Sequence, residues 1–272
     1  MRKNLYELLE KRKFDVSEEY RILWRLFAEE ECSGYDYPIT LLQQIDDEYF
    51  RNFEFRASYT DIRTMMNDLG FQPYIRADID TLLCFCEFLL VVLAEFDSMD
   101  AAIFEEQCRT ILDNIGYILR STNHEIVLDH QGRKIIVETN PQATLAAELI
   151  TDGTTAMSII EYNHFAMKGH IAEKKQILLS IGNYIEPFLR DRKLNIPEYG
   201  KLKNDISFML NNFDIRHNNR SGKNAKEYIA NIPDDELEIW YDKAYQLMIS
   251  VINLADCQQI KKDIELVKNN WR

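Results

Sequence analysis

Hydrophobic positions recur every three or four residues along most of this chain, the period of a helix with one face turned to a core. Tyr20, Leu23, Trp24 and Phe27 predict a helix over Val16–Glu31, with Ser17 available as its cap. After Pro38, Leu41, Leu42, Ile45 and Tyr49 share one face of a further segment, and Asp61–Leu69 reads as a short helix stopped by Gly70. The run LLCFCEFLLVVLA, Leu82–Ala94, is apolar on every side. It is shorter than a membrane span and carries Glu87, so it predicts a buried helix over Asp78–Phe96. Ile103, Phe104, Cys108, Ile111 and Leu112 predict another over Ser98–Leu119. The period then changes once. EIVLDHQGRKIIVET, Glu125–Thr139, has two β-branched runs around His130-Gln131-Gly132-Arg133, which predicts a hairpin. His124 and His130, at its start and turn, read as solvent-exposed.

Helical spacing resumes at Pro141, a residue suited to a first turn, and predicts a helix over Gln142–Ile150 ended by Asp152-Gly153. The following run to Arg192 is too long for one uncapped helix and predicts two antiparallel helices broken near Gly169-His170. Leu194–Gly200 reads as a loop, Leu202–Phe213 as a third helix and Arg216–Ile232 as irregular. Pro233, Asp234 and Asp235 open a fourth helix carrying Leu237, Trp240, Tyr241, Ala244, Leu247, Met248 and Val251. Its acidic first turn suits the positive end of a helix dipole. The expected fold is therefore mainly α, in three parts. A helical N-terminal domain covers 1–120, the hairpin near 125–139 and its connecting helix occupy 121–150, and a four-helix bundle covers 151–272.

With 272 residues, 46% of them hydrophobic, the chain can bury a substantial core. The opening MRKNLYELLEKRKF is amphipathic rather than a secretory leader. Together with an odd count of five cysteines, it predicts a cytoplasmic protein with reduced thiols and no membrane association. Cys84 and Cys86 form C-x-C inside the apolar run, with no second pair and no nearby His. They read as small buried side chains, so neither a metal site nor a cofactor is expected. The net charge of −13 argues against general nucleic-acid binding, but it is uneven. Residues 1–120 hold 13 Lys and Arg against 24 Asp and Glu, a balance of −11. Residues 121–272 hold 19 against 21, a balance of −2, and Arg190–Lys226 holds nine cations against four anions. That basic segment is the one suited to a polyanion.

Inside it lies FMLNNFDIRHNNRSGKN, Phe208–Asn224, where amides, cations and a histidine gather at a helix end. Three stretches, HIAEKKQILLSIGNYIEPFLRDR, KLKNDISFMLNNFDIRHNNR and DDELEIWYDKAYQLMISVI, follow one another as the helices of a bundle. In this arrangement the chain resembles the HEPN superfamily over roughly residues 155–255, and most nearly the C-terminal domain of bacterial abortive-infection proteins. The resemblance implies a four-helix HEPN-like bundle acting in antiphage defence, often as a metal-independent ribonuclease toxin. The family motif is an Arg, a polar residue, four variable residues and a His. Here the His falls on His217, the polar residue on Asn212, and the Arg position on Asn211. In the family the Arg holds the scissile phosphate and the His moves protons. Asn211 carries no charge, so Arg216 is the nearest candidate to take over phosphate stabilisation. Arg220, Lys223 and Asn218 complete the expected RNA-binding set.

The chemistry can be stated from the residues alone. RNA cleavage through a 2′,3′-cyclic phosphate needs a group that titrates near neutrality, which an imidazole supplies, and donors on the phosphate. One His per chain serves poorly as both base and acid, and a homodimer pairing two copies of His217 would supply both. Against this stands a plainer reading, in which Asn211, Asn212, Asp214, Asn218 and Asn219 cap a helix and shape its turn. Three functions follow: a ribonuclease effector, a non-catalytic bundle that binds RNA, a nucleotide or a regulatory protein partner, and a helical assembly module built on the Trp240-Tyr241 helix. The acidic half would sense a trigger, or block the basic loop as a built-in mimic.

Overall fold

The computed structural model describes residues 14–32, 38–97, 102–190 and 199–271. The fold is mainly α. It separates into two compact units, one of residues 1–128 with 133–136, the other of residues 129–132 with 137–272.

In the first unit, α1 (Val16–Trp24) is capped by Asp15, whose Oδ1 accepts from Ser17 N and Glu18 N. The cap expected at Ser17 thus lies two residues earlier, and the Ser17 hydroxyl donates instead to Ala77 O. The predicted helix continues past Trp24 as a π-helical turn, Arg25–Glu29. A two-residue ladder, β1 (Glu31–Cys32) with β2 (Ile39–Thr40), leads into α2 (Leu41–Gln44), closed by a Thr40/Gln43 capping box, and a second π turn, Ile45–Tyr49. Asp61 caps α3 (Ile62–Asp68), and Gly70 leaves it at φ +81°.

The apolar run forms α4 (Ile79–Asp97). Phe85 is the hub of an aromatic cluster, 4.9 Å from Tyr20 and 5.1 Å from Phe71. Each Phe fully buried in this way contributes about 2 kcal/mol over an exposed one. Glu87, the one charge in the run, accepts from Ile136 N (2.8 Å). Cys86 is fully buried and Cys84 partly so, and burial pushes both thiols up. The next helix, α5 (Glu105–Thr122), starts later than its periodicity suggests because a 3-10 turn, Ala102–Phe104, precedes it. The remainder of the expected start, residues 98–101, lies outside the described residues. The hairpin follows as β3 (His124–Leu128) and β4 (Lys134–Glu138), with Gly132 at φ +78° in its turn.

The second unit holds α6 (Pro141–Leu149), α7 (Gly153–Glu161), α8 (Ile171–Arg190), α9 (Tyr199–Asn212), the short α10 (Glu227–Ala230) and the long α11 (Asp234–Asn270). The four helices expected over 151–272 are α7, α8, α9 and α11. Pro141 sits in the first turn of α6, Asp152 caps α7, and Gly169 (φ +79°) marks the break before α8. Most of the expected 194–200 loop lies outside the described residues. α11 is the spine, packing against α6, α8 and α9. The core joins Ala143 and Ala146 to Ile159, Leu178, Ile181, Ile185, Leu210, Tyr241, Tyr245 and Met248. At Gly182 a Cβ would stand 2.8 Å from Leu210 Cδ2, so the missing side chain lets α9 approach α8. Among the described residues no helix is long and apolar enough to cross a membrane.

Candidate functional site

The end of α9 is where the polar cluster lies, and its geometry begins with the carbonyls that a helix end leaves without partners. Phe213 N returns to Met209 O (3.0 Å), Asp214 turns the chain at φ +60°, and Arg216 N reaches back to Leu210 O (2.9 Å). Asp is one of the few residues that tolerate this left-handed turn. Its carboxylate is buried and organises the loop. Oδ1 accepts from Asn219 N (2.7 Å) and Arg220 N (3.2 Å), while Oδ2 receives Lys175 Nζ of α8 (2.8 Å). The buried Asn219 completes the ring by accepting from Asp214 N through Oδ1 (3.3 Å). Beneath the ring lies the fully buried Tyr241, whose phenol is pushed up by burial and then by the Asp214 charge.

Two further ion pairs pin the loop. Arg216 Nη2 meets Glu186 Oε2 of α8 (3.2 Å). Arg220 Nη1 meets Asp234 Oδ1, the first residue of α11 (2.7 Å), and its Nη2 donates to Ile232 O (2.9 Å). Both arginines on which phosphate binding was expected to rest are therefore already held by carboxylates. Asn212, the polar residue of the motif, donates through Nδ2 to Phe208 O (2.7 Å) and accepts through Oδ1 from Lys226 Nζ. Asn211 is the next-to-last residue of α9 and is half-buried. His217, Asn218 and Lys223 are exposed, with Asn218 Oδ1 accepting from Ser221 Oγ (3.2 Å). All seven expected site residues thus lie on one helix end and its loop.

The segment expected to be irregular holds a 3-10 turn, Gly222–Asn224, and α10. Sequence reading missed Lys175, Glu186, Asp234 and Lys226, the partners of the motif. No sequence signal marks the first two, which lie 39 and 30 residues from the groups they hold.

Beside the loop the surface turns aromatic. Phe208 and Tyr228 are 57% and 56% exposed. Both lean on Phe213, at 6.0 and 6.5 Å between ring centres, and Trp240 stands 5.0 Å from it. A groove of about 730 Å³ opens here between α9 and α11, lined by Phe208, Met209, Phe213, Ile239, Trp240 and Leu247 among others. Lys243 Nζ lies 4.2 Å over the Trp240 ring. Among the described residues no group of three or more His, Cys, Asp or Glu is placed to hold a metal ion. Comparison with known proteins gives no match among family models, curated proteins or solved structures.

Proposed function

We propose that the second unit is a HEPN-like, RNA-directed module of antiphage defence, with the loop after α9 as its contact surface and His217 as its proton-transfer group. The observation that carries the RNA reading is that exposed His217, Lys223 and Lys226 lie on the loop after α9, whose Lys226 bonds Asn212 beside the exposed aromatics Phe208 and Tyr228 that flank Phe213. Cations attract a phosphate backbone and aromatic faces stack unpaired bases without sequence preference. The defence setting is supported by the motif resemblance. In the cleavage step an imidazole removes the proton of a ribose 2′-hydroxyl, the oxygen attacks the adjacent phosphorus, and the P–O5′ bond breaks. The leaving oxygen then takes up a proton, giving a 2′,3′-cyclic phosphate and a 5′-hydroxyl. A second copy in a homodimer would present a second imidazole for that last transfer.

A second reading, a non-catalytic RNA-binding bundle, is favoured by the pairing of Arg216 with Glu186 and of Arg220 with Asp234. Labelled tRNA incubated with the protein in chelator separates the two. Cleavage by wild type and not by His217→Ala, leaving cyclic phosphate ends, supports the enzyme. Binding without cleavage, lost in Lys223→Glu with Lys226→Glu, supports the second reading. Neither cleavage nor binding rejects both.

A further inference from the structure

The spine helix α11 outruns the core it serves. Its buried positions end at Ile252, and every residue from Gln259 to Trp271 is exposed. A single helix surrounded by water gains nothing from apolar side chains, yet Ile260, Ile264, Val267 and Trp271 remain about half exposed or more. Their spacing is four, three and four. With Cys257 three residues before Ile260, they fill the a and d positions of two heptads: Cys257, Ile264 and Trp271 at a, Ile260 and Val267 at d. This seam does not continue the core face of the helix. The same heptad positions upstream hold Asn253, Ser250 and Gln246, so the seam begins only where the helix leaves the bundle.

The residues flanking the seam choose the occupant. Positions g are Asp256 and Asp263, and positions e are Lys261 and Lys268. In a parallel pair, g of one strand meets e of the next heptad on the other. Asp256 then faces Lys261 of a second copy and Asp263 faces Lys268, and symmetry repeats both contacts. In an antiparallel pair e meets e and g meets g, which sets Lys against Lys and Asp against Asp. We propose that residues 257–271 form a parallel coiled coil with a second copy of this chain, about 22 Å long. The inference is independent of whether the loop binds RNA.

The mass of the full chain, measured by sedimentation equilibrium over a dilution series, tests it. Wild type is expected as a dimer that dissociates on dilution. Ile264→Lys with Val267→Lys is expected to be monomeric throughout, with unchanged far-ultraviolet dichroism, because both side chains are exposed. Orientation is read separately. Diamide, which takes up the two thiol hydrogens, should cross-link the two copies through Cys257 in an in-register parallel pair, and Cys257→Ser should abolish that product. Asp263→Lys should weaken association about fivefold, and adding Lys268→Asp should restore it. A wild-type monomer at every concentration overturns the proposal. A dimer that survives the Ile264→Lys, Val267→Lys change overturns it too, by moving the contact elsewhere, for example to the Trp240 groove. Failure of the Lys268→Asp rescue overturns the parallel pairing.

Discussion

Lys174 and Lys175 are neighbours on α8 and do different work. Lys174 is buried and meets Glu238 (2.7 Å) and Asp242 (2.8 Å), both on α11, with its Nζ 5.1 Å over the Tyr162 ring. Tyr162 donates to the same Asp242 oxygen (2.9 Å) and stacks on Tyr245 at 4.1 Å. Burial first, then the Asp242 charge, pushes its phenol up. Lys175, rotated about 100° around the helix, meets Asp214 in the loop instead. The first cluster ties regular elements to each other, and the second ties a helix to a loop. A charge inside the bundle thus specifies how helices dock, whereas the charge at its end specifies the shape of an exposed surface. Breaking the first should therefore destabilise the unit as a whole, and breaking the second should loosen the loop and leave the helices in place.

The largest effect is expected from Lys174→Met. It leaves Glu238 and Asp242 facing a buried methionine and should cost about 3 kcal/mol, read as a lower denaturant midpoint with unchanged slope. Next comes Asp214→Ala, which removes the acceptor of two backbone N–H groups and puts a Cβ-branched-free but non-Asx residue at φ +60°. It should cost about 2 kcal/mol and open the loop to trypsin at Arg216, Arg220 and Lys223 while the helical dichroism holds. A cost equal to that of Lys174→Met, with loss of helix, would erase the distinction between the clusters. The smallest effect concerns pH. Partial burial raises the Glu238 carboxyl, but Lys174 and the Gly169 N–H outweigh it and hold the group below its ordinary 4.5. A depressed folded value stabilises above the ordinary value, and the gain is lost as pH falls through the folded one. The stability gap between wild type and Glu238→Gln should therefore be widest above pH 4.5 and close on acidification, as measured by thermal melts across that range.

Much of this fold can be read from periodicity. The stripes of α4, α8 and α9 and the turn chemistry of the hairpin announce themselves. Lys174 was also legible in part, since it falls on the apolar face that runs from Ile171 through Leu178 to Ile185. The π turns at Arg25–Glu29 and Ile45–Tyr49 were not, because an i→i+5 turn has no residue signature of its own. Nor was the length of α11, whose apolar face rotates after Ile252 and so breaks the pattern that defined it. At the site, Asp214 and Asn219 read correctly as turn formers, but their function as the buried centre of the loop depends on Lys175. Only the folded bundle brings that lysine to them.

The hairpin carries a consequence for how the chain is made. Its tip, Asp129–Gly132, groups with the second unit, where His130 Nδ1 stands 3.0 Å from Glu161, while Arg133–Ile136 groups with the first, where Ile136 N donates to Glu87. The boundary is thus interleaved, and no single cut in the backbone yields both halves whole. During synthesis the first unit stays one strand short at Leu128 and is complete only once Ile136 has emerged. By then the ribosome has already committed the chain to the segment that begins the second.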